Sequence, residues 1–202
     1  MRRQINNFIS VAYSALRIGI YKILNGINFQ SGLVERISPN VVLEFNKGSK
    51  VKIGHRIRIH SGSKVKVRPG AELVIGDNVK VNYYCIIACQ NQIKIGEGTE
   101  FGPSVYLYDH DHDYKKGFNS DSDKECFKTA PIVIGKNCWI GANTIILRGT
   151  QIGDNCVIGA GSIVKGIVPD GTVFVQRRNT DNLGGVVPSK IIKLARRMKN
   201  CA

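Results

Sequence analysis

Acidic residues are scarce in this chain of 202 residues, in which 15 Asp and Glu stand against 29 Lys and Arg, giving a net charge of +14. The length suits a single domain. The basic excess favours anionic partners, namely a phosphorylated cofactor, an anionic membrane surface or nucleic acid. Because no basic run alternates with aromatic residues, nucleic acid is the least favoured of the three, and none is expected as a partner.

Paired cysteines are lacking as well. The six cysteines form neither a C-x-x-C pair nor the spacing of a disulfide framework. We interpret them as reduced packing residues, which predicts a cytoplasmic protein. Cys85 and Cys89 are a weak candidate for half of a metal site, because no second pair accompanies them, and no metal is expected.

Long hydrophobic runs are also absent, and Arg17 and Lys22 interrupt the apolar residues of the N-terminal segment, residues 1–30. Apolar residues at helical spacing, such as Phe8, Leu16 and Ile23, predict a helix there that is too short and too charged to span a membrane. The favoured role is to cap the first coil of a solenoid. The alternative, compatible with the first, is peripheral contact with an anionic membrane at its inner face.

A repeat of six residues dominates the remainder of the chain. An aliphatic residue recurs every six positions between residues 132 and 168, at Ile134, Ile140, Ile146, Ile152, Ile158 and Val164. This period fits neither an amphipathic helix nor a hairpin ladder and is typical of hexapeptide β-helices. It predicts a three-sided parallel β-helix over residues 31–175, with inward aliphatic residues, about 18 residues per coil and about 4.8 Å between coils.

Two departures from the repeat are candidate sites. From Ile87 to Ile95 the step is eight, which predicts a small bulge in which Gln90 and Asn91 are weak candidates for acceptor contacts. Residues 108–131 leave the coil altogether and form a polar loop that begins with the sequence DHDHDY at position 109. Long polar loops on rigid scaffolds commonly carry function.

The first coils, before residue 75, are expected to be irregular. After the repeat, residues 176–202 are expected to form a tail that ends in a basic helix docked on the solenoid.

The repeat, the His-bearing loop and the runs CWIGA (138–142) and VIGAGS (157–162) together resemble the hexapeptide-repeat acyltransferases. The resemblance covers roughly residues 75–169. It is strongest to the branch of galactoside, maltose, nodulation and polysaccharide-biosynthesis O-acetyltransferases. The resemblance implies a left-handed β-helix, a homotrimer with active sites between neighbouring subunits, acetyl-CoA as acyl donor, and a sugar or glycan acceptor.

The resemblance also implies catalytic residues. A loop histidine of that family deprotonates the acceptor hydroxyl, which then attacks the thioester directly, and an imidazole titrates in a range that suits this task. His110 falls on the position of this base, with His112 as the alternative. Asn82 matches an active-site asparagine that lies near the acceptor, although a turn asparagine is nearly as good an interpretation. The sequence leaves open which carboxylate, if any, orients the histidine.

For coenzyme A, the family uses backbone groups in the groove between coils, and a basic residue beyond them meets a phosphate. The matching positions in this chain are Gly141, Ala142, Ala160 and Gly161, with Lys165 as the basic residue. Trp139 either forms a wall of this site or packs beside the loop.

These features predict an acetyl-CoA-dependent O-acetyltransferase that acts on a sugar hydroxyl in surface polysaccharide or glycan assembly. An N-acetyltransferase acting on an amino sugar is the near alternative, since it needs the same base. A zinc hydratase is suggested by His55 and His60 but lacks a third histidine on a suitable coil. A non-catalytic β-helix scaffold is also less favoured, because it would not need the histidine loop.

Overall fold

The structure is a computed structural model that describes residues 2–32, 35–113 and 126–176, with side chains in the first helix described from Phe8 onward. The predicted C-terminal helix and the middle of the loop, residues 114–125, lie outside the described residues.

One helix precedes a solenoid of short parallel strands. The helix α1 spans Arg2–Asn25 and continues into a 3₁₀ turn, Gly26–Asn28. The first face of the solenoid contains β1 (Phe29–Ser31), β4 (Lys50–Ile53), β7 (Glu72–Ile75), β10 (Gln92–Ile95), β15 (Ile132–Ile134), β18 (Gln151–Ile152) and β21 (Ile167–Val168). The second face contains β2 (Arg36–Ile37), β5 (Arg58–Ile59), β8 (Lys80–Val81), β11 (Glu100–Phe101), β16 (Trp139–Ile140), β19 (Val157–Ile158) and β22 (Val173–Phe174).

The third face contains β3 (Val42–Phe45), β6 (Lys64–Val67), β9 (Ile86–Cys89), β12 (Tyr106–Tyr108), β17 (Ile145–Leu147) and β20 (Ile163–Val164). The polar loop adds an antiparallel hairpin of β13 (His110–His112) and β14 (Phe127–Thr129). The predicted parallel β-helix with an N-terminal helix is therefore confirmed, and its handedness stays a prediction.

The length of a coil changes along the solenoid. Ile134 pairs with Ile152, which is the step of three hexapeptides that the repeat predicts, whereas Val51 pairs with Leu73, a longer step. The early coils are longer because their strands on the first and third faces have four residues, two of which point inward. The expectation of an irregular beginning was wrong, since these coils are regular with a longer period.

The predicted bulge near residue 90 is likewise a consequence of strand length. Gln90 and Asn91 form the bend between β9 and β10, both of which are four-residue strands. The step of eight from Ile87 to Ile95 therefore needs no extruded residues.

Buried residues fill the interior in the predicted pattern. The aliphatic side chains of the repeat are almost fully buried, and small residues occupy the tight corner positions, at Cys138, Thr144, Thr150, Cys156 and Ser162. The buried cysteines are free thiols, namely Cys85, Cys89, Cys138 and Cys156. The corners pack so closely that a Cβ atom on Gly141 would lie 2.5 Å from the backbone nitrogen of Ala160 on the next coil.

The helix α1 covers the open edge of the first coil. Ser14 Oγ donates to Ile37 O and accepts from Ile37 N–H, while Arg17 donates to Val41 O and Tyr21 to Leu43 O. These side chains satisfy backbone groups on β2 and near β3, at an edge where the described chain places no further strand. The predicted capping role is thus observed. No helix among the described residues is long and apolar enough to span a membrane.

Candidate active site

A cleft of about 200 Å³ lies where the third face meets the hairpin of the polar loop. It is lined by Lys66, Arg68, Ala88, Cys89, Gln90, His110, His112 and Phe127. The structure therefore brings both predicted loop histidines to one cleft, together with basic residues from an earlier coil.

His110 is held by the residue that precedes it. Its Nδ1 atom lies 3.1 Å from Oδ1 of Asp109, and its side chain is 16% exposed. The ring of Phe127 packs edge-on against the imidazole at 5.1 Å between ring centroids. Because a carboxylate only accepts hydrogen bonds, this contact places the proton on Nδ1 and leaves Nε2 as the basic nitrogen.

Asp109 is itself fixed by the scaffold. Its side chain is fully buried, and the backbone N–H groups of Gln90 and Asn91 donate to its Oδ1 and Oδ2 atoms, both at 2.8 Å. Two backbone hydrogen bonds to the same carboxylate define its position. Gln90 and Asn91, predicted as weak acceptor contacts, thus support the site through their backbone.

Cys89 lies beside this carboxylate. Burial, followed by the negative charge of Asp109, raises the pKa of the Cys89 thiol far above its usual range. Its Sγ atom donates to the backbone oxygen of Glu72 at 3.3 Å. Cys89 therefore remains a neutral thiol, although it lines the cleft.

His112 has a different environment. It is exposed, and its ring packs against Phe127 in a tilted arrangement, with 4.8 Å between centroids. Among the described residues, a carboxylate contacts His110 but none contacts His112. Asp111 and Asp113 instead anchor the hairpin, since Asp111 pairs with Arg148 at 2.6 Å and Asp113 pairs with Lys128 at 2.9 Å.

The basic side of the cleft consists of Lys66 and Arg68. Glu44 lies 3.0 Å from the Lys66 ammonium and 2.9 Å from the Arg68 guanidinium. The hydrogen bond from Lys66 lowers the pKa of Glu44, with a smaller contribution from Arg68. One carboxylate thus faces two cations, so this wall of the cleft keeps a net positive charge.

The coil register accounts for this column of residues. Lys66 on β6 pairs with Ala88 on β9, and Ala88 pairs in turn with Tyr108 on β12. Arg68, Gln90 and His110 come just after the ends of these three strands, and all three line the cleft. This signal was missed in the sequence because a uniform coil of three hexapeptides was assumed, and these early coils are longer.

Within one chain, Asn82 is far from the cleft that contains His110. Asn82 follows β8, and its Oδ1 atom accepts from the N–H of Tyr83 at 2.9 Å, as in a local turn. It is located at the corner between the second and third faces. His110 lies at the opposite edge of the third face, about 15 to 20 Å away for a face of about six residues.

The predicted coenzyme A positions are stacked at the same corner as Asn82. Gly141 N–H donates to Ile158 O at 2.8 Å, and Gly161 N–H donates to Ala142 O at 2.7 Å, so residues 141–142 and 160–161 lie on successive coils. Trp139 is 61% exposed on β16. Lys165 is exposed beyond β20, at the edge of the third face that bears the loop. One chain therefore does not bring residues 141–142 and 160–161 to His110, whereas Lys165 lies at the same edge as His110 but on a later coil.

Comparison with known proteins agrees with the fold and the repeat. The family described as the hexapeptide repeat of succinyl-transferase matches residues 131–165. The chain is 32% identical over 127 residues to a putative lipopolysaccharide biosynthesis O-acetyl transferase of Escherichia coli strain K12, covering 60% of each protein. It is 36% identical over 99 residues to the galactoside O-acetyltransferase of the same organism, covering 49% of this chain and 47% of that protein.

A solved structure shares the fold over nearly the whole chain. This structure is AntD, an N-acyltransferase from Bacillus cereus, in complex with dTDP and 3-hydroxybutyryl-CoA. The TM-score is 0.61 at 20% identity, covering 89% of this chain and 95% of that one.

The chain thus folds as a β-helix built on a hexapeptide repeat. Its predicted resemblance to the sugar acetyltransferase branch of the hexapeptide acyltransferases is confirmed. The chain spans about 60% of the first of these relatives and about half of the second.

Proposed function

We propose that this protein transfers an acetyl group from acetyl-CoA to a sugar hydroxyl in polysaccharide or glycan assembly, with His110 as the general base. The observation that carries the proposal is the pair of Asp109 and His110, in which a buried carboxylate holds Nδ1 of a histidine that lines a cleft. The relatives named as O-acetyltransferases support the acceptor class.

The proposed reaction is a direct transfer. Nε2 of His110 accepts the proton of the acceptor hydroxyl while the hydroxyl oxygen attacks the thioester carbonyl. The carbon–sulfur bond then breaks, and the imidazolium returns the proton to the departing thiolate. Asp109 keeps the ring orientation fixed and stabilises the imidazolium between these two steps.

A covalent route through Cys89 is disfavoured by its surroundings. A cysteine nucleophile reacts as the thiolate, and a thiolate needs a lowered pKa. Burial and the neighbouring Asp109 charge raise the pKa of Cys89 instead. This environment supports one direct transfer step without an acyl-enzyme.

A neighbouring subunit completes the site in this proposal. His110 and the stacked positions around Gly141 lie at opposite edges of the third face of one chain, too far apart for a single acetyl group to reach both. In a homotrimer, the corner that bears Asn82, Gly141 and Gly161 of one copy would face the histidine corner of the next. Lys165 and Trp139 would then contact the donor at the same interface.

The test is thiol release from acetyl-CoA by the wild-type protein over a panel of sugars, amino sugars and nucleotide-linked or lipid-linked glycans. We expect His110→Ala to lower turnover by about 10² to 10⁴ while acetyl-CoA still binds. His112→Ala is the matched control and is expected to retain most of the activity. Full activity of His110→Ala would move the base to another residue, and failure of the wild-type protein to bind acetyl-CoA would refute the proposal. Transfer to amino sugars alone would make the protein an N-acetyltransferase.

A further inference from the structure

The helix α1 has a second apolar face, which the solenoid does not cover. Ser14, Ile18 and Tyr21 point toward the first coil, whereas exposed apolar residues follow the opposite side of the helix. We define this outer stripe as Ile9, Leu16, Ile20 and Ile23 of α1 together with Ile27 of the 3₁₀ turn that follows it.

The outer stripe is unusually exposed for residues of its type. Ile23 is 84% exposed and Ile27 is 89% exposed. Tyr13 and Leu24 flank the stripe and are exposed as well, which widens the apolar surface. Contiguous apolar surface of this kind commonly marks an interaction site.

The electric charge of the molecule is concentrated at the same end. Residues 1–68 contain thirteen Lys and Arg but only two Glu, which amounts to +11 of the chain's net charge of +14. A groove of about 260 Å³ is lined by Ile27, the last residue of the outer stripe, and by Lys50, Lys52 and Glu72, so its charged lining is net positive. Apolar surface and positive charge therefore meet at the end of the helix.

We propose that the outer stripe docks on an anionic lipid bilayer, with α1 lying along the surface and Lys50 and Lys52 facing the headgroups. An amphipathic helix that bears basic residues beside its apolar face binds membranes in this way. A second copy of the chain is a poorer occupant, because face-to-face docking would oppose two surfaces of the same strong charge. The inner face of α1 stays attached to the first coil, so docking needs no rearrangement of the cap.

This inference does not depend on the proposed acetyl transfer, and its test measures binding alone. The full-length protein is sedimented with vesicles of phosphatidylcholine, or of phosphatidylcholine and phosphatidylglycerol in a ratio of about 7 to 3. We expect binding to the mixed vesicles, little binding to phosphatidylcholine alone, and weaker binding as salt screens the charges. Equal, salt-independent binding to both vesicles, or none to either, would overturn the proposal.

Two variants separate the apolar and the electrostatic contributions. The triple variant Leu16→Gln, Ile20→Gln and Ile23→Gln should bind mixed vesicles at least about tenfold more weakly. A double variant with Lys50→Glu and Lys52→Glu should lose about fivefold per replaced Lys.

The matched control replaces three exposed aliphatic residues at the far end of the solenoid by glutamine: Ile163→Gln, Ile167→Gln and Val173→Gln. It should bind vesicles as the wild-type protein does. Thermal unfolding checks that each variant is folded. Unchanged binding of the helix variant would refute the proposal. A smaller particle mass for this variant, together with no vesicle binding by the wild type, would assign the stripe to contact between copies.

Discussion

Asp109 joins groups that lie far apart in the sequence. Its carboxylate accepts from the N–H groups of Gln90 and Asn91 and contacts Nδ1 of His110, which connects two successive coils to the polar loop. A negative charge without access to water requires this full set of partners. Asp109 therefore combines a structural role with the proposed orientation of the base.

Replacing this carboxylate by an amide tests the orienting role. Asp109→Asn keeps the size of the side chain but can accept with only one oxygen, so one backbone donor or His110 loses its partner. We expect kcat to fall by about 10- to 100-fold with a much smaller change in KM, measured by thiol release. Asp111→Asn is the matched control, because Asp111 is half exposed and pairs with Arg148. Equal losses in the two variants would contradict the assignment.

Glu35 presents the opposite situation, a buried carboxyl that lowers stability. It is 5% exposed, and its Oε1 atom has no hydrogen-bond partner among the described residues. Desolvation raises its pKa, opposed by smaller effects that include its own backbone and Lys22. The folded protein therefore holds the proton more tightly than the unfolded chain, and stability is lost as pH rises through the raised folded value.

The variant Glu35→Gln removes this titration. We expect it to increase the free energy of unfolding by about 1 kcal/mol at pH 7, because a neutral amide is less costly to bury than a carboxylate. The difference should shrink toward pH 4, where the carboxyl is protonated in both states. Urea unfolding at the two pH values measures this, and a larger gain at pH 4 than at pH 7 would show the reasoning to be wrong.

At the scale of elements, α1 supplies what the first coil lacks. Every inner coil finds hydrogen-bond partners on both sides, but among the described strands β2 and β3 have a coil on one side only. Ser14, Arg17 and Tyr21 replace the missing coil, and Tyr21, Phe29 and Phe45 form an aromatic cluster beneath the helix. The helix therefore caps the first coil in two ways: it supplies hydrogen-bonding groups to the strand edge, and it buries the apolar side chains beneath it.

Loss of one of these hydrogen-bonding groups should be costly. Ser14→Ala leaves the buried N–H of Ile37 without its acceptor, which is expected to lower the free energy of unfolding by about 1–3 kcal/mol. Denaturant unfolding of the full-length protein measures the change. Ser31→Ala serves as the control, because the one contact of the Ser31 hydroxyl with the described residues is a long one, 3.5 Å to Gly32 O, and its effect should stay within about 0.5 kcal/mol. Equal stability of the two variants would argue against the capping role of Ser14.

At the scale of the whole molecule, the candidate site is divided between two edges of the third face. His110, the proposed base, lies at one edge, and Asn82 and the predicted donor groove lie at the other. The solenoid is rigid because each coil is hydrogen-bonded to the next, so it cannot fold to bring the two edges together. The proposed arrangement between subunits follows from this rigidity.

Mixing two inactive variants tests this arrangement. If the sites lie between copies, His110→Ala and Asn82→Ala chains that are unfolded and refolded together should recover activity, although neither variant is active alone. With random assembly, about one quarter of the sites would combine an intact His110 with an intact Asn82. Thiol release measures the recovery, and chains mixed without refolding are the control. Absence of recovery in confirmed mixed oligomers would place each site within one chain.

The sequence predicted the solenoid well because its signal is local and repeated. An inward aliphatic residue at every sixth position can be buried only if the chain turns after each short strand, so Ile134 to Val164 define both strands and corners. The capping helix was predictable for a similar reason, since Phe8, Leu16 and Ile23 follow a helical period. The early coils were harder to recognise in the sequence. On two of their faces each strand has two inward residues, which lengthens the coil and hides the six-residue spacing.

By itself, the sequence determined the parallel β-helix, the place of the polar loop and the two histidines that enter the cleft. Only the tertiary structure decided which aspartate contacts His110, because the backbone donors of Gln90 and Asn91 reach Asp109 through the stacking of coils. Stacking also placed Lys66 and Arg68, which come two coils earlier in the chain, beside His110. The outer stripe of α1 also became visible only in the tertiary structure. The helix has apolar residues on two sides, and the sequence does not tell which side packs on the first coil and which stays exposed.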